Sequence, residues 1–145
     1  MSAPAEDLLA PARARAIQAR ETLGDLGVEV EPFAQVLAQR ALSDENPAAA
    51  LDRLFADDLY LAFACGRGSR AAIDRFERDY GDEVDRAFRR MNAGTLQRSD
   101  VRQQVLEKLF VGDRPKILDY SGQGPLRVWL RVAALRLLTN LVTRA

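Results

Sequence analysis

The 145-residue chain contains no histidine and a single cysteine, Cys65. Without histidine there is no Ser-His-Asp or Cys-His triad, no imidazole base titrating near neutrality and no His-containing zinc or iron site. One thiol forms neither an intramolecular disulfide nor a thiolate cage, which fits a reducing, cytoplasmic setting. No EF-hand or paired-carboxylate spacing takes the place of these groups. Long apolar runs are missing too: nothing approaches the roughly 20 residues that a membrane-spanning helix needs. The acidic start 1–7 lacks the basic-then-apolar order of a signal peptide. Strand signals are scarce, since Val/Ile/Thr alternation goes no further than Val28–Val30. These absences argue against an enzyme, against a metal or cofactor and against a membrane protein. They leave an all-α, cytoplasmic domain as the expectation.

What is present is enough to build a core. Apolar residues make up 48% of the chain and charged ones 29%, an ordinary balance for a globular fold of this length. The net charge of zero is unevenly spread. Residues 1–58 carry 11 acidic and 5 basic side chains, a balance of −6. Residues 59–115 stand at +2 and residues 116–145 at +4. An acidic front and a basic tail point the tail toward an anion.

Helical periodicity and breakers divide the chain. A first helix is predicted over 11–23, with Ile17 and Leu23 on its apolar side and Gly24 and Gly27 as stops. A second starts at Pro32 and carries Phe33, Val36, Leu37 and Ala41. Asn46 and Pro47 read as N-cap and first turn of a helix that runs to about Cys65. Its buried stripe is Leu51, Leu54, Phe55, Leu59 and Phe63, and Gly66 and Gly68 end it. Ser69 caps a helix through Ile73, Phe76, Tyr80, Val84, Phe88 and Met91, broken at Asn92–Gly94. Ser99 caps the helix 100–110, a loop covers 112–124, and Pro125 opens the last helix. The expected core is Leu59, Phe63, Ile73, Phe76, Val84, Phe88, Val105, Leu109, Leu130 and Leu137. Residues 1–46 read as an acidic helical extension and 47–145 as the main helical domain.

Two patterns near the C-terminus carry chemistry. Asp100, Gln103, Gln104 and Glu107 lie at offsets 0, 3, 4 and 7, one face of a helix whose other face holds Val101, Val105 and Leu109. Arg127, Arg131 and Arg136 follow on the last helix at offsets 0, 4 and 9. The first two share a face, whereas Arg136 lies about 180° from Arg127.

The order Asp-Val-Arg-Gln-Gln-Val-Leu-Glu-Lys-Leu-Phe (100–110), a Gly loop with an aromatic, then Leu-Arg-Val-Trp-Leu-Arg-Val-Ala-Ala (126–134) resembles regions 2.2 to 2.4 of bacterial sigma-70 family RNA polymerase sigma factors. The short extracytoplasmic-function type is the closest in pattern, and the likeness covers about residues 58–144. It implies a region 2-like helical bundle that is not an enzyme and needs no cofactor. It further implies that Asp100, Gln103, Gln104 and Glu107 meet the β′ clamp helices of core RNA polymerase. The loop residues Tyr120, Ser121 and Gln123, with Arg127, Trp129, Arg131 and Arg136, would recognise and melt the promoter −10 element on its non-template strand. Trp129 fits a second role as core. Family members often answer to an anti-sigma factor, a further implied partner.

The sequence departs from the family at several points. Gln104 replaces an acidic residue, Arg136 stands where Asn is common and Asn140 where Asp is common. The chain carries the N-terminal helical extension, and no region 4 helix-turn-helix is read within these 145 residues. An alternative reading is therefore a sigma-like interaction protein that binds polymerase or a regulator without promoter readout. A minor third reading places a divalent ion among Asp57, Asp58 and Glu77.

Overall fold

The structure, a computed structural model, describes residues 4–91 and 98–144. The described residues form seven α-helices and no strand: α1 Pro4–Leu23, α2 Val30–Leu42, α3 Pro47–Arg53, α4 Ala56–Gly66, α5 Arg70–Met91, α6 Arg98–Phe110 and α7 Leu126–Arg144. The all-α expectation is met. No helix among the described residues is long and apolar enough to cross a membrane.

Helix α1 starts well before the expected Pro11 and carries that proline in its interior. Its buried face is Leu8, Ala12, Ala16 and Ala19. Ile17, expected on the apolar side, is 47% exposed. The alanines explain the difference: small side chains let α1 lie close against the Ala34, Ala38 and Ala41 face of α2, where a larger residue would hold the helices apart. α1 also packs on α3 and α4, whereas α7 packs chiefly on α5 and α6. One hydrophobic cluster runs from Leu8 to Leu138.

The helix expected from Pro47 to Cys65 is two. The Asn46 carboxamide caps α3 through Ala49 N, as its position suggested. The chain then becomes extended at Leu54 (ψ 142°) before α4 begins. Arg15 of α1 donates to Leu51 O and Leu54 O at 2.5 and 2.7 Å, adding a side-chain donor to carbonyls that otherwise accept only the turn bonds from Leu54 N and Ala56 N at the end of α3. The break turns Phe55 out of the expected buried stripe, to 42% exposure.

Ser69 caps α5 as expected, accepting from Ala72 N at 3.2 Å, and donates its hydroxyl to Leu26 O. α5 continues unbroken to Met91. The break foreseen at Asn92–Gly94 lies outside the described residues, as does the side chain of Ser99, and α6 starts at Arg98. Of the expected core, Leu59, Phe76, Val84, Val105, Leu109 and Leu130 are buried. Phe63, Ile73, Phe88 and Leu137 pack at its margin, half-buried.

Candidate functional site

The loop before α7 is tied to the first turn of α4 at three points. Gly122 O accepts from Phe55 N at 2.8 Å. Leu126 N donates to Asp58 Oδ2 at 2.9 Å, so a carboxylate from another helix caps α7. Between them, Gly122 (φ +81°) sits directly on Leu59: a Cβ there would lie 2.2 Å from Leu59 Cδ1. Only glycine meets both the backbone angle and the close approach.

Tyr120 anchors the loop from below. Its ring is 2% exposed, its hydroxyl donates to Gly124 O and it packs against Trp129 at 6.0 Å between centroids. Burial pushes its phenol well above the ordinary range, with the Asp58 charge adding to the effect. A buried ring with a committed hydroxyl positions the loop, so in this arrangement Tyr120 supports the loop from within the fold rather than from its surface. Ser121 Oγ accepts from Gln123 N at 3.4 Å, while the Gln123 side chain is exposed. Trp129 is half-buried against the core, the second of its two expected roles.

Gln123 opens onto a cleft of about 390 Å³ lined also by Arg40, Asp44, Arg53, Leu54 and Phe55. A second cleft, about 460 Å³, shares Arg53, Leu54 and Phe55 with the first and is lined further by Arg15, Gln18, Thr22, Asp57 and Asp58. Arg40 and Arg53 belong to helices that the sequence reading left without a functional role. The signal that makes them relevant, the outward turn of Phe55, arises from the contact with Gly122.

The arginines of α7 are not equivalent. Arg127 Nη1 meets Glu83 Oε1 at 2.9 Å and Asp82 Oδ1 at 3.2 Å, its Nη2 donates to Asp79 O, and its guanidinium lies 4.9 Å from the Tyr80 ring centroid. Arg131 Nε meets Glu83 Oε2 at 3.1 Å. Glu83 is 2% exposed. Burial pushes its carboxyl up, but the hydrogen bonds and charges of Arg127 and Arg131 outweigh that and hold it below the usual range. Both arginines expected on phosphates thus hold α7 to α5 and have part of their charge neutralised within the fold. Arg136 is exposed on α7. Sequence reasoning missed Glu83 because a lone glutamate in an acidic helix stretch looks like solvated surface.

On α6, Asp100, Gln103, Gln104 and Glu107 are all exposed, opposite buried Val101, Val105 and Leu109. Gln103 Nε2 donates to Glu107 Oε1 at 3.4 Å, which pre-aligns the stripe. The three acids of the minor reading are not gathered. Both Asp58 oxygens accept hydrogen bonds, from Leu126 N and the Tyr80 hydroxyl, and Glu77 faces Arg102. No group of three or more metal-binding side chains exists among the described residues.

Comparison of the chain with protein-family profiles, with curated proteins and with solved structures finds no match.

Proposed function

We propose that this chain is a sigma-factor region 2-type module that docks on core RNA polymerase and helps to recognise and melt a promoter −10 element. The observation that carries the reading is the α6 stripe: four exposed polar residues, of which Asp100 and Gln103 match the family pattern, on a helix whose opposite face is buried. Such a stripe is well placed to meet a second helix pair by charged and amide contacts. The anchored loop next to it supports the DNA half of the reading, because it presents the Gln123 amide beside a cleft while its backbone is held. An extruded base needs such a pre-formed pocket.

The test is capture of core polymerase. Asp100→Ala combined with Gln103→Ala should abolish pull-down while the thermal melt stays unchanged, since both side chains are exposed. Undiminished capture would remove α6 as the docking surface.

One observation favours the second reading, an interaction protein that binds polymerase or a regulator without promoter readout. Arg127 and Arg131 spend charge on Asp82 and Glu83, which leaves less for phosphates. An anti-sigma factor is the regulator that the family likeness suggests.

A further inference from the structure

We infer that the cleft between α1 and the α3–α4 break binds a small zwitterion, an α-amino acid with an apolar side chain. Its ammonium meets Asp57, its carboxylate meets the guanidinium groups of Arg15 and Arg53, and its side chain lies on Phe55. The inference is independent of the promoter reading: these four residues all precede residue 58, where the sigma-factor likeness begins.

Charge selects the ligand class. Two arginines and two aspartates line the cleft, whose volume of about 460 Å³ falls within the roughly 300–1,000 Å³ of small-ligand pockets. The aspartates are not equivalent. Asp58 has both oxygens engaged, by Leu126 N and the Tyr80 hydroxyl. Asp57 is exposed and has no hydrogen-bond or ion-pair partner among the described residues. Burial and then the Asp58 charge push its carboxyl up, while the Arg15 charge pulls it down. Asp57 thus feels Arg15 without pairing with it. Arg15 spends Nη1 and Nη2 on Leu51 O and Leu54 O and keeps its remaining donors, since a guanidinium carries five N–H bonds. Arg53 pairs with Asp44 at 3.3 Å, but their side chains are 64% and 42% exposed, and ion pairs so wet exchange readily.

An anion entering this cleft meets Asp57, and a cation meets Arg15 and Arg53. A ligand with an ammonium and a carboxylate on one carbon satisfies both sets. The Phe55 ring, 42% exposed and with its N–H held on Gly122 O at 2.8 Å, offers a fixed apolar wall for the side chain. The exposed Gln18 carboxamide of α1 adds a donor and an acceptor at the rim. Arg53 and Phe55 also line the cleft beside Gln123, but the one carboxylate there, Asp44, is already paired with Arg53. That cleft therefore has no unengaged carboxylate to fix an ammonium. A ligand in the first position bridges α1 to the start of α4 and stabilises the fold by its binding.

The test titrates the full chain with L-phenylalanine and L-leucine by isothermal calorimetry and follows the melting temperature alongside. Both should bind saturably at one site and raise the melting temperature. Phenethylamine lacks the carboxylate and 3-phenylpropanoate lacks the ammonium, and each should bind about tenfold more weakly than L-phenylalanine. Asp57→Asn should weaken L-phenylalanine about tenfold, Phe55→Ala about fivefold and Arg53→Ala about threefold. All three side chains are exposed, so the variants should keep the melting temperature of the unliganded wild type. No saturation by either amino acid, wild-type affinity in Asp57→Asn, or equal binding of either truncated probe would overturn the site.

Discussion

Asp58 and Leu126 join the start of α4 to the start of α7: the carboxylate Oδ2 accepts the Leu126 amide at 2.9 Å, across 68 residues of sequence. The other oxygen accepts from the Tyr80 hydroxyl at 3.3 Å. One side chain thereby sets the distance between three helices. The loop that precedes α7 inherits its position from that bond.

Asp58→Ala should destabilise the protein by about 1–2 kcal/mol, the usual range for a lost cap, and Asp58→Asn should retain most of the stability. Tyr80 reports the same change. Its phenol is pushed up to about 12 by burial first and the Asp58 charge second. In Asp58→Asn the tyrosine should titrate at lower pH, while burial still keeps it above the free value. Ultraviolet titration measures the shift.

Glu83→Ala removes one partner of a buried ion pair, a change that costs about 3–5 kcal/mol where the abandoned charges stay buried. Arg127 and Arg131 reach water, so about 2–3 kcal/mol is expected here. Chemical denaturation of the variant and the wild type gives the figure.

Acid should weaken the fold through the same group. Glu83 and Asp82 both sit below their ordinary values of 4.5 and 3.8: burial raises each, and the arginines more than reverse it. A depressed carboxyl binds its proton more tightly in the unfolded chain, so its contribution is complete above the unfolded value and disappears as pH falls through the folded one. Melting temperature should therefore fall between about pH 5 and pH 3. Glu83→Gln should flatten that dependence, and an unchanged slope would exclude Glu83 as its source.

Gly122→Ala combines a positive φ with a Cβ 2.2 Å from Leu59 Cδ1 and should cost about 2–4 kcal/mol. Gly124→Ala, two residues on, meets nothing within 4 Å and should be close to neutral. Equal melts for the two variants would show that the loop is not pressed against α4.

Cys65 should resist alkylation in the native protein. It is fully buried, and burial pushes its thiol up to about 12, so little thiolate exists at neutral pH. Iodoacetamide labelling followed by mass spectrometry should track global unfolding.

Local signals carried most of the fold. Asn46 and Ser69 cap the helices that their positions implied, and the α6 stripe reads directly from residue spacing. Misreadings fall where a distant partner decides. Nothing in Leu54-Phe55 breaks a helix by itself, since neither residue is glycine or proline. The break belongs to Gly122 and Arg15, which take up the backbone groups that an unbroken helix would have kept. Likewise Ile17 looked apolar enough to be buried, but the tight α1–α2 contact selected alanines instead. Arg127 and Arg131 are legible as a basic face, and only the fold brings Glu83 between them.

The first turn of α4 also has a temporal meaning. Arg15 reaches Leu51 and Leu54 across fewer than 40 residues. Such short-range closure is fast. The cleft beside Phe55 still lacks a wall at that stage, because Gly122 and Gln123 have yet to leave the ribosome, and Asp58 waits with no amide from α7. The scaffold of this cleft is thus laid down before its wall, and the wall closes only once Gly122 O meets Phe55 N and the Leu126 amide meets Asp58.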